Sequence, residues 1–467
     1  MAERFDLIIV GMGSGGMTAA EFAATLDLKV VIIERARVGG DCLWTGCVPS
    51  KALLASAKVA HTMRHAARYG LESHEPTIDT AKVWRRIRAV QAEIAQSEDN
   101  PERFEAMGIT LIRGHAMLTG PNEVTVDNDL ILEGRFIMLC TGSRPVEPEL
   151  PGLQEAGFLT NETMFELDQP PRSIVVIGGG PVAVEMSQGM NRLGIRTTVL
   201  QLGTSILPAD EPTLAALLAR TLRAEGVDLR LHAEAIRVGS DAHSKTVTAL
   251  VNGHEEHFSA EEILVAVGRR PNVDGLGLDA LGIEVGLRGV PVDNRGRTTV
   301  KTVYAVGDVA GRWLFTHSAG YEGVRAVRDM FFPGKGHVEN LIPWCTFTDP
   351  ELAHAGMTIA QAELAHGDDV DVWRQDLIHN DRARTDDATS GAVILVSSKQ
   401  RIVGAHILAP AAGEMIHELA LAIQQNLKIG DLASLVHVYP TFSTATGQLA
   451  AESAFEKAQK LRWLVKR

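Results

Sequence analysis

The sequence predicts an α/β protein in which one strand–turn–helix–strand unit is used twice before a C-terminal α+β region. Three observations carry that expectation. A glycine-rich turn follows a short β-branched strand near the N-terminus. The same arrangement returns at a constant offset of 167 residues. From about residue 341 the pattern changes to a hairpin followed by an amphipathic helix. At 467 residues the chain is also too long for one ordinary core, so two to four domains are expected.

Composition narrows the partners. Lys plus Arg total 45 against 58 Asp plus Glu, a formal net charge of −13. Nucleic acid and anionic membrane both need concentrated positive charge, so neither is expected as a general partner. Four cysteines, at 42, 47, 140 and 345, are too few for a disulfide framework in a chain of this length. They fit a reducing compartment, where a disulfide tends to be catalytic. The first residues, Met-Ala-Glu-Arg, run into a strand without a charged-then-apolar leader, and no apolar run approaches the ~18 residues of a membrane span. A cytoplasmic protein is expected.

The first unit begins with Phe5 to Val10, a short apolar run suited to a buried parallel strand. Gly11-Met12-Gly13-Ser14-Gly15-Gly16 follows, then a helix over 17–26 and a strand from Lys29 to Ile33 that ends at Glu34. This is the dinucleotide-binding, Rossmann-type order. Gly11 makes the turn, Gly13 lets a pyrophosphate approach, and Gly16 lets helix pack on strand. Glu34 is placed to accept from a ribose hydroxyl.

In the second unit, Ser173 to Ile177 is the strand, and Gly178, Gly180, Ala183 and Gln201 lie 167 positions after Gly11, Gly13, Gly16 and Glu34. Two such units imply two bound nucleotides, or one flavin plus one nicotinamide. Gln201 departs from the pattern. An acid there accepts from the 2′-hydroxyl of NAD, and an Arg nearby receives the 2′-phosphate of NADP. Gln201 does neither decisively, and Arg192 and Arg196 are the candidate phosphate partners, so NADH and NADPH both stay open.

Between the units stands Cys42-Leu43-Trp44-Thr45-Gly46-Cys47-Val48-Pro49-Ser50-Lys51. Pro49 suits a first helical turn. A helix starting there favours a thiolate at Cys47 through its unpaired N–H groups and dipole. The pair reads as a working dithiol/disulfide; the alternative is two unrelated buried thiols.

With these motifs together, the sequence resembles the FAD-dependent pyridine nucleotide-disulfide oxidoreductases, which include dihydrolipoamide dehydrogenase, glutathione reductase and mercuric reductase. The resemblance runs nearly end to end. It takes in Gly39 to Lys51, the segment Thr141-Gly142-Ser143-Arg144-Pro145, the turn Gly268-Arg269-Arg270-Pro271-Asn272, and Tyr304-Ala305-Val306-Gly307-Asp308. It implies FAD on the first unit, with Asp308 holding the ribityl chain, and NADH or NADPH on the second. Cys47 would be the thiol beside the flavin and Cys42 the exposed thiol that attacks substrate. Lys51, a cation misplaced by the helix dipole in a first turn, would lie by the flavin and pair with Glu185. The implied division is 1–145 and 271–340 for the FAD-binding parts, 146–270 for the NAD(P)-binding domain, and 341–467 for a dimerisation domain of a homodimer.

The remaining stretches read as scaffolding. Residues 51–70 and 81–99 are expected helices, and 108–140 alternate as strands and hairpins. Ala392 to Val396 and Ile402 to Leu408 make a hairpin, followed by a helix with Met415, Leu419 and Ile423 on one face. Cys140 and Cys345 are expected to be structural.

Near the C-terminus, thiol-disulfide members of the family carry a His-Pro-Thr-x-x-Glu segment whose His serves as base. Here the segment reads His437-Val438-Tyr439-Pro440-Thr441-Phe442-Ser443-Thr444, with Tyr439 at the His position and Thr444 at the Glu position. Tyr is a poor base at neutral pH but donates a hydrogen bond. In an extended segment His437 would face the same side as Tyr439 and could join it in handling protons. Standard glutathione or lipoamide reduction is therefore not expected, and the Tyr brings the chain closer to mercuric-reductase-like proteins. The end, Leu464-Val465-Lys466-Arg467, lacks their vicinal cysteines, which counts against mercury as the physiological substrate. The expected activity is an NAD(P)H-dependent flavoprotein passing electrons through Cys42–Cys47 to a disulfide-like or thiophilic acceptor, small or protein-bound. The alternatives are a quinone or metal-ion reductase working directly from reduced FAD, and a low-turnover flavin redox sensor or partner subunit.

Overall fold

The computed structural model describes residues 3–332, 334, 336–460 and 462–465. Met1, Ala2, Lys466 and Arg467, part of the terminal segments read above, lie outside the described residues. Within them the chain is α/β, with two nucleotide-unit sheets and a C-terminal antiparallel sheet.

The first sheet is built outward from Glu3–Val10. Val30–Glu34 and Leu130–Leu139 flank it in parallel register, Leu7 facing Val30 on one side and Phe136 on the other. Alternate side chains go to opposite faces, so Leu7, Ile9, Val30 and Ile32 join one apolar cluster while Ile8, Val10, Val31 and Ile33 join another. Burying side chains of this size contributes about 1.5–3 kcal/mol each. Val303–Ala305 completes the sheet by pairing in parallel with the last residues of Leu130–Leu139. The helix after the glycine turn spans Ser14–Ala24, three residues earlier at its start than expected, because Gly13 serves as its N-cap. Its buried face is small, Gly15, Gly16, Ala19, Ala20 and Ala23. That lets helix Thr316–Phe331 pack closely: a Cβ on Gly323 would stand 2.7 Å from the Gly15 carbonyl oxygen.

The second sheet is parallel, in the order Asp228–Leu231, Arg196–Gln201, Ser173–Ile177, Glu262–Val265. A three-stranded antiparallel sheet covers one face through Val238, Val247, Ala249 and Val251. Helices Pro181–Arg192 and Pro212–Ala224 cover the other. The chain enters and leaves this unit through one two-stranded ribbon, in which Ser143–Pro145 lies antiparallel to Arg269–Pro271.

The C-terminal sheet has five antiparallel strands, backed by helix Ala412–Gln424 with Met415 and Leu419 buried and Ile423 partly so. Its central hairpin is tighter than expected. Strands Ala392–Ser398 and Arg401–Ala409 are joined by Lys399 and Gln400 alone, both at positive φ (49° and 70°). That is the backbone of a two-residue turn whose twist matches the strands. The helix expected over 51–70 instead runs Cys47–Arg64, capped by Gly46, and is followed by a 3-10 turn Ala66–Tyr69. Among the described residues no helix is long and apolar enough to cross a membrane.

Candidate active site

Both glycine turns and both cysteines of the pair open onto one cavity of about 2240 Å³. Ordinary small-molecule sites occupy ~300–1,000 Å³, so this space suits more than one large ligand. Gly11 (φ 102°) and Gly178 (φ 122°) turn the chain where a Cβ would come within 2.4 Å of the Cys140 carbonyl oxygen and 2.3 Å of that of Ala266. A Cβ on Gly16 would stand 2.1 Å from the Gly11 oxygen, while Ala183 at the matching place is buried. Gly13 and Gly180 differ from these: a Cβ on either would meet nothing within 4 Å. Both cap helix N-termini that have no side-chain cap. Open space in front of free helix N–H groups is what a pyrophosphate occupies. The residues present therefore fit two dinucleotides.

The strand-end residues are held in place. Glu34 accepts from Met12 N and from Ala36 N, each at 2.7 Å. Gln201 donates through Nε2 to the Ser205 carbonyl at 2.9 Å. The crossover residues cluster around the ribbon. Thr141 donates to the Asn272 carbonyl at 2.6 Å, and Gly142 and Gly268 take positive φ (68° and 138°). Gly307, at φ 72°, presents Asp308, whose carboxylate accepts from Ser143 and lies 3.6 Å from Arg269. Burial pushes the Asp308 carboxyl up.

Cys42 sits in the short helix Gly40–Trp44, which Gln91 braces by donating to the carbonyls of Leu43 and Trp44. Cys47 is the first residue of its helix, where free N–H groups favour a thiolate. Its sulfur lies 3.2 Å from the Thr316 hydroxyl. The hydrogen bond from Cys42 does most to bring Cys47 down to about 6, against burial; Thr316 and the charge of Lys51 add to it and Asp41 opposes. The same hydrogen bond, then burial, pushes Cys42 up. In the reduced pair this favours the proton on Cys42 and the negative charge on Cys47.

Lys51 Nζ lies 3.0 Å from Glu185 Oε2 and 4.4 Å from the centre of the Phe347 ring. The other Glu185 oxygen accepts from Phe347 N at 2.8 Å. Because the helix starts at Cys47, Lys51 is its fifth residue, not a first-turn one, and the dipole opposes it less than the sequence reading held.

The C-terminal residues lie elsewhere. His437 Nε2 is 3.0 Å from Glu418 Oε1, with its side chain 9% exposed. Tyr439 is 70% exposed and donates to Asp381 Oδ2 at 2.8 Å, which raises the phenol above its usual range. One is packed and the other solvated, so the segment does not present them on a common side. Neither lines this cavity. Thr444 donates to the Thr441 carbonyl and accepts from Asn380.

Sequence reasoning missed Thr316, which no local motif marks, and Arg269, which lies 3.1 Å from Asp41 beside Cys42. Trp344 and Cys345 line the cavity as well. Trp344 donates to the buried Asp210 at 2.9 Å and stacks on His354 with ring centres 3.7 Å apart. Burial raises the thiols of Cys345 and Cys140, and Cys140 lies behind the first glycine turn. Among the described residues no cluster of three or more His, Cys, Asp or Glu could hold a metal ion.

Comparison with known proteins gives a consistent result. Residues 5–323 match the family model described as pyridine nucleotide-disulphide oxidoreductase, and residues 342–450 match the dimerisation domain of the same name. Dihydrolipoyl dehydrogenase of Geobacillus stearothermophilus is 33% identical over 96% of this chain and 95% of its own length. Mercuric reductase of Bacillus cereus is 32% identical over 97% of this chain and 72% of its own. The Cu(II) complex of the HOCl-induced flavoprotein disulfide reductase RclA from Escherichia coli superposes with a TM-score of 0.84. That match is at 25% identity and covers 97% of this chain and 99% of that one.

Proposed function

The chain belongs to the pyridine nucleotide-disulphide oxidoreductase family, an FAD- and NAD(P)H-dependent group, and from that premise we propose that Cys42 and Cys47 carry its electrons to a disulfide-like or thiophilic acceptor. The observation that carries this reading is the placing of both cysteines on the cavity shared by the two glycine turns, with Cys47 at a helix N-terminus and its sulfur 3.2 Å from the Thr316 hydroxyl. Bound FAD supplies the two-electron link from NADH or NADPH to the Cys42–Cys47 disulfide. Gly11, Gly13, Gly16 and Glu34 would hold the FAD pyrophosphate and ribose, with Thr141, Gly142, Gly307 and Asp308 at its other end. Gly178, Gly180, Ala183, Gln201 and Gly268 would frame the nicotinamide dinucleotide.

Reduction breaks the S–S bond, takes two electrons and one proton, and leaves a thiolate on Cys47 and a thiol on Cys42. The Lys51–Glu185 pair keeps a cation near that thiolate. For a disulfide acceptor, Cys42 gives up its proton and attacks one sulfur: a Cys42–S bond forms as the acceptor's S–S bond breaks, and the other sulfur leaves with that proton as a thiol. The Cys47 thiolate then attacks the Cys42 sulfur, which re-forms the Cys42–Cys47 disulfide and releases the remaining half of the acceptor as a thiolate. Tyr439, held by Asp381, and His437, held by Glu418, lie away from this protomer's cavity, so either would handle protons of the pair only across the homodimer. A homodimer is supported by the dimerisation-domain match and by exposed Leu435, Val436 and Val438 beside Tyr439. The cytoplasm is the proposed location.

Anaerobic titration of the FAD-loaded protein with NADH or NADPH tests the relay. A long-wavelength thiolate–flavin band is expected on two-electron reduction, and its absence would refute it. A second reading, direct reduction of a quinone or metal ion from reduced FAD, is favoured by one observation. No His–carboxylate base stands at 439 and 444, which leaves the outward thiol step less supported. Cys42→Ser and Cys47→Ser distinguish the two, since only the relay loses turnover.

A further inference from the structure

We propose that the second nucleotide site selects NADH over NADPH, an inference that rests on the reading that this unit takes a nicotinamide dinucleotide. Gln201 is the first reason. Its Nε2 gives one of its two hydrogens to the Ser205 carbonyl, which can only accept, so the Oε1 end is turned to the glycine turn. That oxygen lies 2.9 Å from where a Cβ on Gly179 would stand. A carbonyl oxygen at this place accepts from a ribose 2′-hydroxyl. An oxygen is no donor to a 2′-phosphate and sets a partial negative charge against it; the second Nε2 hydrogen is a neutral donor and carries no positive charge.

The two arginines nearest in sequence cannot supply what Gln201 lacks. The Arg192 side chain is 5% exposed and is held by Glu225 at 2.6 Å and Asp349 at 2.9 Å. Arg196 opens the strand that Gln201 closes, so the two stand about 16 Å apart along it.

The surrounding wall points the same way. Every charged residue that 146–267 contributes to the cavity is acidic, including Glu149, Glu234 and Glu185. Leu202, immediately after Gln201, is 65% exposed where a cation could have reached a phosphate. The arginines and lysine that line the cavity are placed elsewhere: Arg144 is held by Asp274, Arg269 by Asp41 and Asp308, and Lys51 by Glu185, Arg312 donates to the Asp293 carbonyl, and Arg35 and Arg37 follow Glu34 in the first unit. A 2′-phosphate would enter a neutral-to-acidic wall to which the described residues 146–267 contribute no lysine or arginine.

Calorimetric titration of the FAD-loaded protein with NAD+ and with NADP+ tests this by affinity alone. NAD+ is expected to bind tighter by on the order of ten- to a hundredfold, the range set by a charged group left without its hydrogen bonds. Gln201→Leu should weaken NAD+ without weakening NADP+, and Leu202→Arg should strengthen NADP+ in a salt-sensitive way. Equal or tighter binding of NADP+ to the unaltered protein overturns the preference. Failure of both dinucleotides to bind overturns the reading of the site, and the preference with it.

Discussion

Thr316→Val removes the hydroxyl that stands 3.2 Å from the Cys47 sulfur while keeping the side-chain volume. Hydrogen bonds to charged groups are worth about 1.5–3 kcal/mol, and one pKa unit is 1.36 kcal/mol. Sulfur is a weak acceptor and the site is partly open, which puts the loss near the low end, about one unit. The direction follows from what is stabilised: the hydroxyl favours the thiolate, so its removal raises the Cys47 midpoint from about 6 to about 7. The assay is the long-wavelength thiolate–flavin band of the two-electron-reduced, FAD-loaded protein, followed against pH. Thr316→Ser keeps the hydroxyl and should titrate like the unaltered chain. An unchanged midpoint in Thr316→Val, with FAD still bound, would mean that the helix N-terminus, Lys51 and Cys42 set the charge without Thr316.

Other outcomes follow from the same geometry. Gly13→Ala should leave the unfolding free energy of the FAD-free protein within about 0.5 kcal/mol, since the new methyl meets no protein atom, yet lower the FAD content of the purified protein. Glu185→Leu leaves the Phe347 N–H without an acceptor and Lys51 without its carboxylate, and should cost about 2 kcal/mol in denaturant unfolding, a figure reduced because Lys51 is partly exposed and keeps the Phe347 ring. Asp210 is pushed from 3.8 to about 6 by burial. The folded chain therefore holds a proton that the unfolded chain releases between about pH 4 and 6, and stability should fall as pH rises through that window, by about 3 kcal/mol. Asp210→Asn keeps an acceptor for Trp344 and should flatten that slope in unfolding curves measured across the window.

What the sequence made legible was local. A strand, a glycine turn and a helix constrain one another within thirty or so residues, so both units could be read directly. The Lys51–Glu185 pair spans 134 residues and became visible through family resemblance alone. Thr316 was invisible because a Thr at a helix start is commonplace and its sulfur partner lies far away in sequence. The polarity of Gln201 was equally hidden, since the Ser205 carbonyl decides which end of the amide faces the turn. The C-terminal segment failed for another reason. Alternation predicts a shared side only for an extended chain, and this one bends, burying His437 against Glu418 and leaving Tyr439 in solvent.

The strand Val303–Ala305 that completes the first sheet has a consequence for how the protein is made. The sheet carrying the first glycine turn stays one strand short until synthesis has passed residue 305, and the Thr316 partner of Cys47 arrives 269 residues after the cysteine itself. At ~5–20 residues per second that interval is roughly 13–54 s. Over that time the ribosome-bound chain carries Cys42 and Cys47 without the hydroxyl that helps set their acidity. The dithiol becomes a tuned redox centre late in translation, after the entire second unit has emerged and can fold on its ribbon.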